Sequence, residues 1–586
     1  MNRLSESIAQ LRHNPQQAKA FETQGHCVVL APPGSGKTKL LTTRLAYDLF
    51  NTIPSPHGAA CITLTNAAAD ELRRRLDVLV PPGRSSLFVG TVHSFALRRV
   101  IAPFAAVAGR PDLARASIGS DAQINGAYEE AIGAVFGSRA DTRHIRSTIE
   151  FHRKRLSSDD QWSRSGHKTL AAARKYEAKL AEQELIDFDG VVAAAVELVE
   201  KHELVRRALI ARFPCLYVDE YQDLAPGLDR LVRAMCFGQS GSATLFTVGD
   251  PEQAVFGWTG SRPELLAELA GLPDVTAVPL EINYRCGKEI IRVADRVRKG
   301  TSPVVGQRDG GHVSVNYCPD GFAGQCRSVV AAVRNAVADD VALHEIVVIC
   351  LRNDQCKRVA ETLRASNIPA FVRGAEYRQS TSTAFVEACA AWSTLDRERS
   401  NYRLADLLGQ WRNLVGPMWT REQDVALAEL LMSLDSGEQM TAHDLLERLL
   451  ELGLARGLQR PSMSDEALIL AEMKKSLTEG ALVGLTIKGL AERARKVDRV
   501  EVTTMTSSKG LEFDVVLIVG LDDKGIPHFK SIYNPAELAE DRRKFYVSIT
   551  RARNQVHMFY SEFVEWASGK TTTAGPSRFL SEAGLL

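Results

Sequence analysis

No Cys-x-x-Cys pair occurs among the ten cysteines, which are scattered from Cys27 to Cys389. Zinc ribbons, iron–sulfur clusters and redox dithiols all need grouped thiols, so none is indicated. The cysteines read instead as reduced, mostly buried residues of a cytoplasmic protein. Long apolar runs are missing too: the longest, such as 515–520, have strand length, and none can span a bilayer. Met1–Gln10 is polar and lacks the apolar core of a signal peptide. There is no excess of either charge. Lys plus Arg number 72 and Asp plus Glu 71, a formal charge of +1, so a phosphate-binding surface must be a local patch. No repeat period or low-complexity tract is present, only a Thr/Gly-rich loop near Gly569–Pro576. What the chain does have is length. Its 586 residues exceed one hydrophobic core and imply about three or four folding units.

The organisation is α/β. A short apolar strand at Cys27–Leu30 leads through a Gly-rich turn into an amphipathic helix near Thr38–Leu49, and a second strand follows at Ala60–Leu64. That order reads as a parallel sheet. From about Ala102 to Leu185 helical patterns rich in Arg and Lys take over. Within them Arg143–Arg155 is strongly basic, either a solvated helix face or a patch that meets DNA. Strands return at Leu216–Val218 and Thr244–Val248, and a fresh α/β pattern begins near Pro279, with strands at Val313–Tyr317 and Ile346–Cys350. A second helical stretch runs from about Glu376 to Lys496 before strands resume at Glu501–Thr504, Val515–Val519 and Val556–Tyr560. The expectation is two α/β lobes, each with a mainly helical insertion. Residues 1–101 and 190–279 form the first lobe around an insertion at 102–189; 280–375 and 497–586 form the second around an insertion at 376–496.

Two segments carry the chemistry. Ala31-Pro-Pro-Gly-Ser-Gly-Lys-Thr38 is a P-loop in the context that motif requires, after a strand and before a helix. Backbone N–H groups around Gly34–Lys37 and the helix N-terminus make an anion site. Lys37 would reach the β- and γ-phosphates of a nucleotide, and Thr38 would hold Mg²⁺ through its hydroxyl. Leu216-Tyr-Val-Asp-Glu-Tyr-Gln-Asp223 runs a strand straight into Asp219 and Glu220, at the carboxyl end where open parallel sheets bind ligands. Asp219 would complete the Mg²⁺ shell, and Glu220 would orient and deprotonate an attacking water.

The Asp-Glu-Tyr-Gln-Asp form of this segment resembles that of the UvrD/Rep/PcrA family of superfamily-one helicases. Other segments fall in that family's order: Asn14-Pro-Gln-Gln17 with Ala20, Thr63-Leu-Thr-Asn-Ala-Ala-Ala-Asp-Glu-Leu72, Gly90-Thr-Val-His-Ser-Phe95, Val248-Gly-Asp-Pro-Glu-Gln-Ala-Val-Phe-Gly-Trp258, Leu280-Glu-Ile-Asn-Tyr-Arg285, Ser508-Lys-Gly-Leu-Glu-Phe-Asp514 and Tyr546-Val-Ser-Ile-Thr-Arg-Ala-Arg553. Together they span residue 14 to about 560, and Pro576-Ser-Arg-Phe-Leu580 has the same family look.

The resemblance implies two RecA-like motor domains with ATP between them. Its nucleotide set would be Gln17, Pro33, Gly34, Ser35, Gly36, Lys37, Thr38, Lys39, Tyr284, Arg285, Glu512 and Arg551. Gln17 would read the adenine edge and Tyr284 would stack on it. Gln253 would link the γ-phosphate to the DNA site. Arg285 and Arg551 would act as arginine fingers, since a guanidinium can spread over phosphate oxygens. Thr65, Asn66 and His93 would contact the DNA backbone. Phe256 and Trp258 read as core out of context, and as base-stacking platforms beside a phosphate-sensing glutamine. The family departs from this chain at Leu64, where an aromatic is usual, and at Thr506, where a histidine is usual. The second insertion looks shorter than in large members, and the chain ends soon after Arg553, without their C-terminal tail and with no room for a fused nuclease. The implied activity is ATP-dependent movement on single-stranded DNA and single/double-strand junctions, 3′-to-5′, in repair or genome maintenance, with no membrane partner. The alternative is a DNA-sensing ATPase subunit of an anti-phage complex, resembling Gabija, beside a nuclease partner.

Overall fold

Runs such as Ala59–Thr63 and Ile346–Cys350 are buried at every position. They have no polar face to give to water, and each becomes an interior strand of a parallel sheet covered on both sides. The computed structural model describes residues 3–80, 86–137, 140–164, 166–238, 241–257, 260–298, 300, 303–373, 376–394, 402–434, 440–494, 498–566 and 568–586. Its architecture is two six-stranded sheets.

The first sheet comprises β1 (His26–Leu30), β2 (Ala59–Thr63), β3 (Phe88–Thr91), β4 (Cys215–Val218), β5 (Thr244–Gly249) and β6 (Val275–Pro279). Their spatial order is β3-β2-β4-β5-β1-β6, and every pairing is parallel. The second comprises β7 (His312–Tyr317), β8 (Ile346–Cys350), β9 (Ala370–Val372), β10 (Val500–Thr504), β11 (Phe513–Ile518) and β12 (Ala552–Tyr560). Its order is β7-β12-β11-β8-β10-β9, again all parallel. The adjacency β4-β5-β1 matters most: it gathers the loops that follow three neighbouring strands at one carboxyl edge.

Between β3 and β4 the helices Asp121–Phe136, Thr142–Arg155, Asp159–Arg164 and His167–Glu182 enclose their own small core, in which the Tyr128 and Tyr176 rings stack 3.7 Å apart. The following helix, Phe188–Lys201, packs instead on the core of the first sheet. Between β9 and β10 a larger helical bundle closes around the fully buried Trp411.

The strands absent from the sequence reading have physical excuses. β3 is a four-residue edge strand, β6 is an edge strand, mostly exposed and ending in proline, and β9 has three residues. A short parallel ribbon, Ile282–Gly287 against Val305–Arg308, follows β6 and carries Tyr284 and Arg285.

The basic run at 143–155 is divided: His152 and Arg153 are buried, Arg146 and Lys154 half-buried, and Arg143, His144 and Arg155 exposed. Arg153 is buried, paired with Asp187 and with Glu177 at 2.9 Å, and lies over the Tyr176 ring. Arg146 bonds Glu150 at 2.7 Å and Asn125 at 2.6 Å, and Arg155 stacks on Phe151. Arg153 and Arg146 therefore serve to hold this insertion together, and Arg143, His144 and Arg155 are left on its surface.

Candidate nucleotide site between the lobes

The P-loop turns through two left-handed glycines, Gly34 (φ 67°) and Gly36 (φ 83°), and the helix Lys37–Asn51 starts at once. A side chain at Gly34 would collide with the second-lobe ribbon, since a Cβ there would lie 2.7 Å from the Arg285 Cβ and 2.9 Å from Asn283 Nδ2. The ribbon is tied to the loop: Asn283 Nδ2 donates to Pro33 O (2.6 Å) and Tyr284 N to Gly34 O (2.8 Å). Ser35 Oγ donates to Pro32 O at 2.7 Å. Gln17 Nε2 donates to Ser35 O at 2.7 Å from a helix capped by Asn14, whose Nδ2 in turn reaches the Tyr284 hydroxyl at 2.8 Å. Gln17, Pro33, Gly34, Ser35, Gly36 and Tyr284 thus form one bonded cradle. Lys39 leaves it: its ammonium donates to Gln10 on the N-terminal helix. Thr38 sits half-buried in the first helical turn.

Lys37 is buried, and its Nζ lies 3.6 Å from Glu220 Oε1 without a hydrogen bond among the described residues. Glu220 adopts a left-handed backbone (φ 55°), an unusual conformation for a residue with a Cβ and one that gathers at functional sites. Burial pushes its carboxyl up, but Lys37 and Lys509 outweigh that and hold it at about 2. Asp219 behaves oppositely: burial and the Glu220 charge push it up to about 7. Lys509, from the loop after β10, donates to Asp223 Oδ2 (2.5 Å) and Gln253 O (2.7 Å) and lies 3.5 Å from Glu220 Oε2. Lys509 was quoted as part of a motif but given no role. Its signal was its place three residues before Glu512. Asn283 and Gln222 were likewise passed over; Gln222 bonds Glu220 at 2.5 Å and receives the Asp250 amide at 3.0 Å.

Gln253 Nε2 donates to Asp250 Oδ2 at 2.8 Å, and its Oε1 faces Arg551 Nη2 at 3.5 Å across the lobe boundary. Arg551 is buried and donates to the Val547 and Leu511 carbonyls at 3.0 and 3.2 Å. Burial, then the neighbouring Arg285 charge, press its pKa down to about 9. Arg285 pairs with Glu512 at 2.8 Å and reaches Thr550 O at 3.3 Å. Glu512 also accepts from Arg553 at 3.2 Å.

Comparison with known proteins agrees with this arrangement. Residues 13–272 match the family model described as the UvrD/REP helicase N-terminal domain, and residues 459–562 match the UvrD-like helicase C-terminal domain. The chain belongs to the UvrD/Rep-like helicase family. It is 24% identical to the ATP-dependent DNA helicase PcrA of Bacillus subtilis, over 99% of this chain and 87% of that one. It is 27% identical to the ATP-dependent DNA helicase UvrD2 of Mycobacterium tuberculosis, over 97% and 80%. PcrA of Staphylococcus aureus is 24% identical, over 98% and 86%.

The positions matching the family's DNA-facing motifs are not gathered in the same way. Thr65 caps the helix Asn66–Leu79 by accepting from Ala68 N at 3.2 Å. Asn66 Nδ2 donates to Gln379 O, at the root of the second insertion, at 3.1 Å. His93 packs edge-on against Phe188, and burial lowers its pKa to about 4, so it is neutral. Phe256 lies against the second lobe's core, with Lys509 Nζ 5.6 Å from its ring centroid. Trp258 lies outside the described residues. Leu64, where the family usually has an aromatic, packs on the first-lobe core.

Proposed function

We propose that this UvrD/Rep-like helicase is an ATP-driven DNA motor. ATP and Mg²⁺ bind between the lobes, and hydrolysis moves the protein 3′-to-5′ along single-stranded DNA and through single/double-strand junctions in genome maintenance. The observation that carries this reading is the convergence of Lys37, Glu220 and Gln253 from one lobe with Lys509 and Arg551 from the other. The relatives, matched over nearly all of this chain, are named ATP-dependent DNA helicases, which supports DNA as the substrate.

The side chains present fit a magnesium nucleotide. Lys37 is a buried ammonium with no hydrogen bond among the described residues, Arg551 is a buried cation with its pKa pressed down, and Asp219 is a carboxyl with its pKa pushed up. Among the described residues Lys37 has only the Glu220 carboxylate, unbonded at 3.6 Å and shared with Lys509, Arg551 has no paired carboxylate, and Asp219 has no paired cation. Thr38 and Asp219 would hold Mg²⁺, which when bound neutralises phosphate charge.

The remaining work belongs to the chain. The P-loop amides and the helix N-terminus bind phosphate oxygens, and Lys37 adds a point charge. Glu220 is ionised and accepts a hydrogen bond from the attacking water, fixing its line of approach. Once phosphate occupies Lys37, one of the charges that depress Glu220 is spent elsewhere and its basicity rises. Arg285 and Arg551 spread donors over the oxygens on which charge grows. Asn14 holds Gln17 and Tyr284 together for the adenine.

Strand displacement on 3′- and 5′-tailed duplexes tests the reading. Opening of the 3′-tailed substrate alone, dependent on ATP and Mg²⁺, is expected. Opening of only the 5′-tailed substrate would reverse the polarity. Absence of both opening and ssDNA-stimulated ATPase would overturn the motor.

A further inference from the structure

The segment after Gln253 belongs to the first lobe by sequence and to the second by packing. β5 ends at Gly249, and Pro251–Gln253 forms a short turn beside the nucleotide site. The next two side chains then leave the first lobe. Val255 is fully buried inside the second lobe's hydrophobic core, among residues such as Ile290 and Phe545, and Phe256 packs on the same core.

Two polar groups from the helix Pro535–Ile549 hold this segment. Arg543 Nε donates to Ala254 O at 2.6 Å, one residue beyond the glutamine that faces Arg551. Glu540, steadied by Lys544 at 3.1 Å, presses its carboxylate against Gly257, where a Cβ would lie 2.0 Å from Oε2. The same helix ends at Ile549, two residues before Arg551. One rigid rod therefore carries both the residue that faces Gln253 and the residues that grip the chain running on to Trp258.

We propose that Arg543 is a positioning residue which, with Glu540 and the Val255 peg, makes Ala254–Gly257 travel with the second lobe, transmitting lobe closure to the DNA track. Its functional readout rests on the motor reading above. Arg543 touches no nucleotide-site group in the structure; it acts through the backbone of the loop. A side chain at Gly257 would have to displace the Glu540 carboxylate from its present position.

The full-length protein with oligo-dT tests this. Arg543→Met keeps the aliphatic bulk and removes the donor. It should lower DNA stimulation of the ATPase by about tenfold or more, with the DNA-free rate within about twofold and oligo-dT affinity within about threefold. Arg543→Lys, which retains a donor, should recover most of the stimulation. Gly257→Ala should lose stimulation as well, and Gly257→Ala with Glu540→Ala should regain it. Hydrogen exchange supplies a readout that needs no DNA: Arg543→Met should deprotect the Val255 and Phe256 amides while the helix Pro535–Ile549 stays protected. Unchanged stimulation in Arg543→Met, basal and stimulated rates falling together, or unaltered exchange at 255–256 would each overturn the proposal. If the wild type itself shows no stimulation, the motor reading fails, and the exchange experiment still decides whether the loop is clamped.

Discussion

Two of the buried arginines, Arg153 and Arg551, lie in different regions and in opposite electrostatic states. Arg153, in the first helical insertion, lies between Asp187 and Glu177, and although burial works against its charge those carboxylates more than compensate. Among the described residues Arg551, between the lobes, bonds backbone carbonyls, a threonine hydroxyl and the Gln253 amide oxygen but no carboxylate, and burial and the Arg285 charge press its pKa down. A buried charge without a counter-charge is costly. The fold meets that cost in one place by supplying carboxylates and leaves it unmet in the other, which is what a site shaped for an anionic ligand looks like before the ligand arrives.

The largest effect that sharpens this contrast falls on catalysis. Arg551→Ala should cut the ATPase kcat by about 10³–10⁵-fold while ATP still binds, because Gln17, Tyr284 and the P-loop remain. Arg551→Lys should fail similarly, since an ammonium cannot spread donors over two oxygens. Steady-state kinetics together with nucleotide-binding titration read both; a normal kcat would make Arg551 an ordinary structural arginine.

The converse variant breaks the comparison from the other side. Arg153→Ala leaves Asp187 buried without its main partner and should destabilise the protein by about 3–5 kcal/mol, read by denaturant unfolding. Oligo-dT affinity of the folded fraction should be unchanged. A selective loss of DNA affinity without loss of stability would return Arg153 to the DNA surface.

A smaller effect concerns Asp522, buried against Ser561 and Gln325 on the second lobe, with its carboxyl pushed up by burial to about 7. Between about pH 4 and pH 7 the folded state keeps a proton that the unfolded chain, with a pKa of about 3.9, has released. Stability therefore falls as pH rises through that window, by at most about 1.4 kcal/mol per pH unit for this group, and levels off above it. Asp219 and Asp223, also raised, add to the same slope. Asp522→Asn should flatten the wild-type slope, measured as melting temperature against pH.

Much of this architecture was legible in the residues. Apolar runs such as Ile346–Cys350 announced interior strands without ambiguity, and the P-loop and Asp219–Glu220 announced where those strands would point. Val275–Pro279 and Ala370–Val372 were illegible because an exposed edge and a three-residue strand carry no periodic signal. The basic run at 143–155 left two readings open because sequence displays charge but not the carboxylates that fold back on it: Asp187 lies 34 residues beyond Arg153. Lys509 and Arg543 were hidden for the same reason, since their partners Asp223 and Ala254 come from the other lobe. Val255 read simply as apolar, and nothing local could tell which lobe's core it enters.

The central claim is that nucleotide phosphate supplies counter-charge the site is short of: Glu220 is shared by Lys37 and Lys509, and Arg551 has no paired carboxylate among the described residues. Thermal melting of Lys37→Met, with and without a non-hydrolysable ATP analogue and Mg²⁺, tests it most directly. The wild type should gain about 2.7 kcal/mol at a hundredfold excess of analogue over its Kd. Lys37→Met should gain little from the analogue, whatever its melting temperature without nucleotide. A variant that still shows the full nucleotide shift would contradict the account.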